Sequence, residues 1–225
     1  MNACSSSRLI SKKWPLVIIL LLLRSLPIWA AETLTFHDGE KTIEGYLALP
    51  KNSPRALVVY FHRSIEDRNA VLDWAKEFNP AGYAVAGYTS TRSPNFLEQA
   101  QNAIAELRKR KELANIPVIA MGASMGTPAA AALFGSSPQI RGLVLLVPGE
   151  AQFCTEFAKA SGRPILMIYA EKDEVVPASV SERLVACLPK VNAQSYLLKD
   201  QGHRFPPSLV SGRILEWMNK ILQQN

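Results

Sequence analysis

Five apolar runs punctuate the middle of this chain: ALVVYFH (56–62), YAVAGYT (83–89), PVIAMGA (117–123), RGLVLLVP (141–148) and RPILMIYAE (163–171). None of them alternates between apolar and polar residues, so none reads as a strand with one wet face. Continuous runs of this length suit strands buried on both faces of a sheet. The stretches between them have helical spacing instead. NAVLDWAKEFNPAG (69–82) sets Val71, Leu72, Ala75 and Phe78 on one face and stops at Asn79-Pro80. Helices are also predicted over NFLEQAQNAIAELRKRKEL (95–113), GTPAAAALFG (126–135), ASVSERLVACL (178–188) and LVSGRILEWMNKIL (209–222), with a last strand over NAQSYLLK (192–199). Such alternation predicts an α/β fold, a mostly parallel sheet with helices on both faces. Ahead of it, TLTFH and TIEGYLALP flank DGEK, a hairpin that would add antiparallel strands at one edge. The 225 residues suit one domain, and no insertion between the late strands is long enough for a large lid.

Residues 1–30 have a different character. Arg8, Lys12 and Lys13 precede WPLVIILLLL, and RSLPIWA follows, the form of a secretory signal peptide with cleavage expected after Ala30. The apolar run ends at Arg24 and is short for a membrane span; an uncleaved anchor is the alternative. The expected organisation is therefore a signal peptide over 1–30 and one domain over 31–225, in the periplasm or secreted. Four of the 25 basic residues and none of the 19 acidic ones lie in the leader, so the formal charge of +6 falls to about +2 without it. That balance does not call for nucleic acid, and no basic run with interleaved aromatics appears.

Cys4 would leave with the leader, and Cys154 and Cys187 remain. An oxidising compartment favours pairing them. Geometry argues the other way. Cys154 would lie near the carboxyl edge of the sheet, and Cys187 at the far end of a helix starting there, about 15 Å away. No Cys/His cluster has the spacing of a metal site, and no cofactor is implied.

In GASMG (122–126) a serine sits where a strand gives way to a helix, flanked by residues small enough for a tight turn. Ser124 is then either a nucleophile at the tip of that turn or a cap for the helix. In the first case the N–H of Met125 can face a developing oxyanion. A serine hydroxyl needs a base and a group to orient it. His203 (KDQGHRFPP) and Asp173 (YAEKDEVVPAS) both follow late strands, and loops after parallel strands share one edge with Ser124. His37, beside the hairpin turn, is expected at the surface.

With GASMG, EKDEVVP and GHRF in the order Ser, Asp, His, the chain resembles the α/β-hydrolase family across nearly its whole mature length. The hairpin followed by PRALVVYFH is most similar to the dienelactone hydrolase branch and related small serine esterases, although dienelactone hydrolases proper carry cysteine at the elbow where this chain has Ser124. The resemblance implies Ser124 as nucleophile, His203 as base and then acid, and Asp173 as the group orienting His203, with Glu150 as the alternative acid. Relatives usually follow the strand-end histidine with glycine. Here Arg63 stands after His62, so the second oxyanion donor would be the N–H of Arg63 or of Ser64. The expected activity is hydrolysis of small-molecule carboxylic esters, thioesters or lactones through an acyl-enzyme. The alternatives are a small serine peptidase and a non-catalytic binding protein. Arg63, Arg92 and Arg204 fall on loops at the same edge. Arg92 and Arg204 are candidate ligands for an anionic substrate group; pairing of these arginines with Glu66, Asp67 or Glu174 is the alternative.

Overall fold

The structure is a computed structural model, and it describes residues 31–64, 66–89, 95–149, 154, 155, 157, 162–190 and 192–223. Residues 1–30, where a signal peptide is expected, therefore lie outside the described residues. Eight strands form one sheet: β1 (Ala31–Asp38), β2 (Lys41–Ala48), β3 (Ala56–Phe61), β4 (Tyr83–Tyr88), β5 (Val118–Ala123), β6 (Ile140–Leu146), β7 (Ile165–Ala170) and β8 (Ala193–Leu198). Their order across the sheet is β1-β2-β4-β3-β5-β6-β7-β8. The β1–β2 and β2–β4 pairs are antiparallel, and every later pair is parallel. The leading hairpin turns at Gly39, whose φ of +59° favours glycine.

The apolar runs are explained by a core on each side of the sheet. Leu57, Val59 and Phe61 of β3 join one cluster, while Ala56, Val58 and Tyr60 join the other. The same alternation holds for Leu143 and Leu145 against Val144 and Leu146 in β6. A strand packed on both faces has no polar side to show. The helices divide accordingly. α1 (Ala70–Phe78) and α5 (Ser211–Leu222) cover one face through Val71, Trp74, Phe78, Ile214, Trp217 and Met218. On the other face lie α2 (Phe96–Arg108), α3 (Thr127–Ser136) and α4 (Ala178–Cys187), through residues such as Leu107, Phe134 and Leu184.

Two expectations are corrected here. The helix predicted over 95–113 ends at Arg108, because that guanidinium turns back and donates to the carbonyls of Leu113, Ala114 and Ile116 at 2.6, 2.8 and 2.8 Å. The cysteine pair is also closer than predicted: Cys154 and Cys187 form a disulfide with their α-carbons 5.3 Å apart. The expectation places Cys154 at the end of β6, yet it lies eight residues beyond Leu146. That length can span over about 20 Å when extended. Cys154 packs against the same core cluster as Val185 and Leu188, beside the end of α4.

Candidate active site

β5 delivers Ser124 at its carboxyl end with φ of +47°, a conformation non-glycine residues seldom adopt. The neighbours make that turn possible. A Cβ on Gly122 would stand 2.6 Å from the Gly126 carbonyl oxygen, and one on Gly126 would stand 2.0 Å from that of Phe61. The elbow is therefore pressed against the end of β3 and admits no larger residue at either position. A single 3-10 turn, Ser124–Gly126, leads into α3. Neither turn nor helix is capped by a side chain, so the capping alternative for Ser124 does not apply. Its Oγ instead meets Nε2 of His203 at 2.9 Å.

Behind His203 lies Asp173, whose Oδ2 and Oδ1 are 2.9 and 3.0 Å from Nδ1 of the ring. The Asp173 carboxylate is itself fixed, because Oδ1 accepts the N–H groups of Val175 and Val176 at 2.9 and 2.6 Å. His203 is 5% exposed, and the Asp173 side chain is buried as well. A hydrogen-bonded chain thus runs from a buried carboxylate through an imidazole to a serine at the sheet edge. Chemically, such a chain can take a proton from the hydroxyl as it attacks an electrophile and return it to a leaving group.

The loop after β3 is tied down by Glu66. Its carboxylate accepts the Arg63 backbone N–H at 3.0 Å, the Tyr60 hydroxyl at 2.8 Å and the Arg63 guanidinium at 3.1 Å. Burial, then the charge of Glu66, pushes the Tyr60 phenol above its ordinary range, so it stays protonated as a donor. Arg63 is 8% exposed and lies over the ring of Phe205, 5.1 Å away, linking this loop to the one that carries His203. Arg63 is paired with Glu66 through both its guanidinium and its backbone. Its N–H is therefore already donated, whereas the N–H of Ser64 has no partner among the described residues. At the elbow, the N–H of Met125 belongs to a first helical turn, whose amides lack intrahelical partners.

Arg204 is exposed beside His203. Arg92 and Glu150 lie outside the described residues. Two carboxylates with contacts in this site, Glu66 and Glu174, are legible in the sequence only as partners for arginines. Glu174 accepts the backbone N–H of His203 at 3.0 Å. Their signals are local: an acid three residues beyond Arg63, and one adjoining Asp173.

A serine on a strand-to-helix elbow, facing a histidine and an aspartate at one edge of a sheet in this order, defines an α/β-hydrolase fold. Within that class, residues 76–207 match the dienelactone hydrolase family, and the chain belongs to that family and is a hydrolase by that membership. Solved structures agree on the fold. A dienelactone hydrolase from Anabaena variabilis superposes with a TM-score of 0.72 at 18% identity, covering 85% of this chain and 97% of its own. A protein from Thermoplasma acidophilum described as a predicted CIB-like hydrolase gives 0.67 at 17%, covering 85% and 99%. The esterase domain of a Rhodothermus marinus protein gives 0.71 at 16%, also covering 85% and 99%. No sequence among curated proteins matches the chain.

Proposed function

We propose that the chain is an exported serine hydrolase that cleaves small carboxylic esters through an acyl-enzyme. The observation that carries this is the Ser124–His203–Asp173 contact chain, with both links at 2.9 Å. Ser124 Oγ attacks the ester carbonyl and its proton passes to His203 Nε2. Asp173, on the opposite nitrogen, holds the ring in the tautomer that accepts the proton and stabilises the imidazolium. The oxyanion is met by the N–H of Met125 and, in place of the occupied Arg63 N–H, by that of Ser64. Collapse breaks the bond to the alcohol, which leaves with the proton from His203. Water, deprotonated by the same histidine, then attacks the acyl-enzyme and frees the acid and Ser124.

Exposed Met125 and Val175 present apolar surface beside the serine and the aspartate, where an ester's acyl or alcohol chain can lie. Arg204 is the described arginine left for an anionic group, since Arg63 is engaged by Glu66. Export is supported by the leader pattern and by the cysteine disulfide. Cleavage after Ala30 would leave all eight strands of the described residues in the mature chain.

The test is a hydrolysis screen over ester chain length, with matched neutral and carboxylate-bearing esters, on wild type, Ser124→Ala, His203→Ala and the double variant. Each single change is expected to lower kcat by at least about a thousandfold, with the double little worse, because such groups act as a unit. Substantial turnover by Ser124→Ala would refute the mechanism. A fluorophosphonate probe should label wild type at Ser124 and leave Ser124→Ala unlabelled.

A further inference from the structure

The loop of Asp173 and the loop of His203 are joined by more than the bond between those two side chains. The N–H of Lys172 donates to the Gln201 carbonyl at 2.8 Å, and the N–H of Asp200 donates to the Glu171 carboxylate at 3.0 Å. Lys172 and Asp200 add an ion pair at 2.6 Å. Next to these lies a contact of another kind. Glu174 reaches across the gap so that Oε2 accepts the backbone N–H of His203 at 3.0 Å. The residue before His203 is Gly202, and a Cβ there would stand 2.7 Å from that same oxygen. Glycine is what leaves room for the carboxylate.

We propose that Glu174 is a positioning residue for His203, gripping its main chain while Asp173 grips its ring, so that Nε2 is held on Ser124 and the imidazolium formed in turnover meets a second negative charge. The inference rests on the serine hydrolase reading above. Its physical content has two parts. One is geometric: a histidine anchored at both its backbone N–H and Nδ1 has little freedom left to swing Nε2 off the serine. The other is electrostatic: the carboxylate favours the protonated ring.

The groups facing His203 are Ser124 on Nε2, Asp173 on Nδ1, Glu174 on the backbone N–H and Arg204 next in sequence, with Arg63 on Phe205 beyond. Arg204 opposes the two acids. The bond from the His203 N–H, followed by its own backbone amide and the charges of His203 and Arg204, holds Glu174 below the usual carboxylate range. It is therefore ionised throughout the range in which imidazoles titrate, so its charge does not itself change along the acid limb of the rate profile.

The experiment is kcat and KM against pH, at low salt, for wild type, Glu174→Gln, Glu174→Ala, Gly202→Ala and the Glu174→Ala/Gly202→Ala double variant, with Ser124→Ala as the control on the mechanism. Glu174→Gln keeps an acceptor oxygen and loses the charge. Its acid limb is expected to move to lower pH by a few tenths of a unit while plateau kcat changes less than about twofold. Glu174→Ala loses both, and kcat should fall about tenfold with KM little changed. Gly202→Ala should imitate Glu174→Ala by displacing the carboxylate, and the double variant should be no worse than either single, since the space is then vacated. An unmoved acid limb in Glu174→Gln overturns the proposal by itself, even if the alanine variants prove unstable. Additive losses in the double variant overturn it too. Turnover by Ser124→Ala would instead refute the serine mechanism, a failure distinct from these.

Discussion

Among single residues, the elbow shows how much a hydrogen atom in place of a methyl can decide. Gly126 lies against backbone: a Cβ there would come within 2.0 Å of the Phe61 carbonyl oxygen and 2.8 Å of that of His62. Neither atom can rotate aside, so either the elbow or the end of β3 must shift. Gly126→Ala is expected to cost about 1–3 kcal/mol in urea unfolding and to lower ester turnover about a hundredfold, because Ser124 and the loop of Ser64 are pushed apart. Gly212 is the contrast. It lies in α5, and a Cβ added there would meet no described atom within 4 Å, so Gly212→Ala should raise stability by about 0.5–1 kcal/mol without altering turnover. Equal effects from the two substitutions would show that the elbow is not the tight point. Ser124, Asp173 and His203 could be found from sequence because each ends a legible strand-and-loop unit. Glu66 and Glu174 could not, since an acid that bonds a backbone N–H looks in sequence like any solvated loop acid.

Among the helices and strands, the latter were legible because burial on both faces leaves a run of apolar residues with clear ends. The boundary of α2 was not. ELRKRKEL continues with good helix formers past Arg108, and propensity alone carries the helix on to 113. What stops it is a side chain: Arg108 draws the carbonyls of Leu113, Ala114 and Ile116 onto its guanidinium, and burial there lowers its affinity for its proton. Composition carries no trace of a bond that spans five to eight residues. The arrangement also predicts a separation of stability from activity. The turn held by Arg108 feeds the start of β5, and Ser124 lies at the other end of that strand, about 20 Å away at the usual rise per residue. Arg108→Ala should therefore cost about 1–3 kcal/mol in urea unfolding, from three carbonyls losing a charged donor. Ester turnover well below the melting temperature should stay within about twofold of wild type. A large loss of turnover in a folded variant would contradict that account.

Across the fold as a unit, the same edge of the sheet gathers the elbow after β5, the aspartate loop after β7 and the histidine loop after β8, which is why chain order sufficed to bring those residues together. Distance from one end of the fold to the other was harder to read, and the cysteines show why. Position along the chain ties Cys154 to the end of β6, although the eight-residue step from Leu146 can reach the opposite end of α4. With the bridge in place, the post-β6 segment and α4 are joined at a point remote from the aspartate loop, which lies at the other end of α4. The cross-link closes a separation of 33 residues, for which chain entropy gives about 3–4 kcal/mol. Protein recovered from an oxidising compartment and denatured without reductant should show no free thiol if residues 1–30 have been removed, and one, Cys4, if they are retained. Cys154→Ser/Cys187→Ser should unfold at a lower urea concentration by that free energy, yet keep its turnover at low temperature, because Asp173 is fixed by Val175 and Val176 rather than by the bridge. Two free thiols in the leaderless wild-type protein would show the bridge open, and an unchanged midpoint in the double serine variant would show that it constrains nothing.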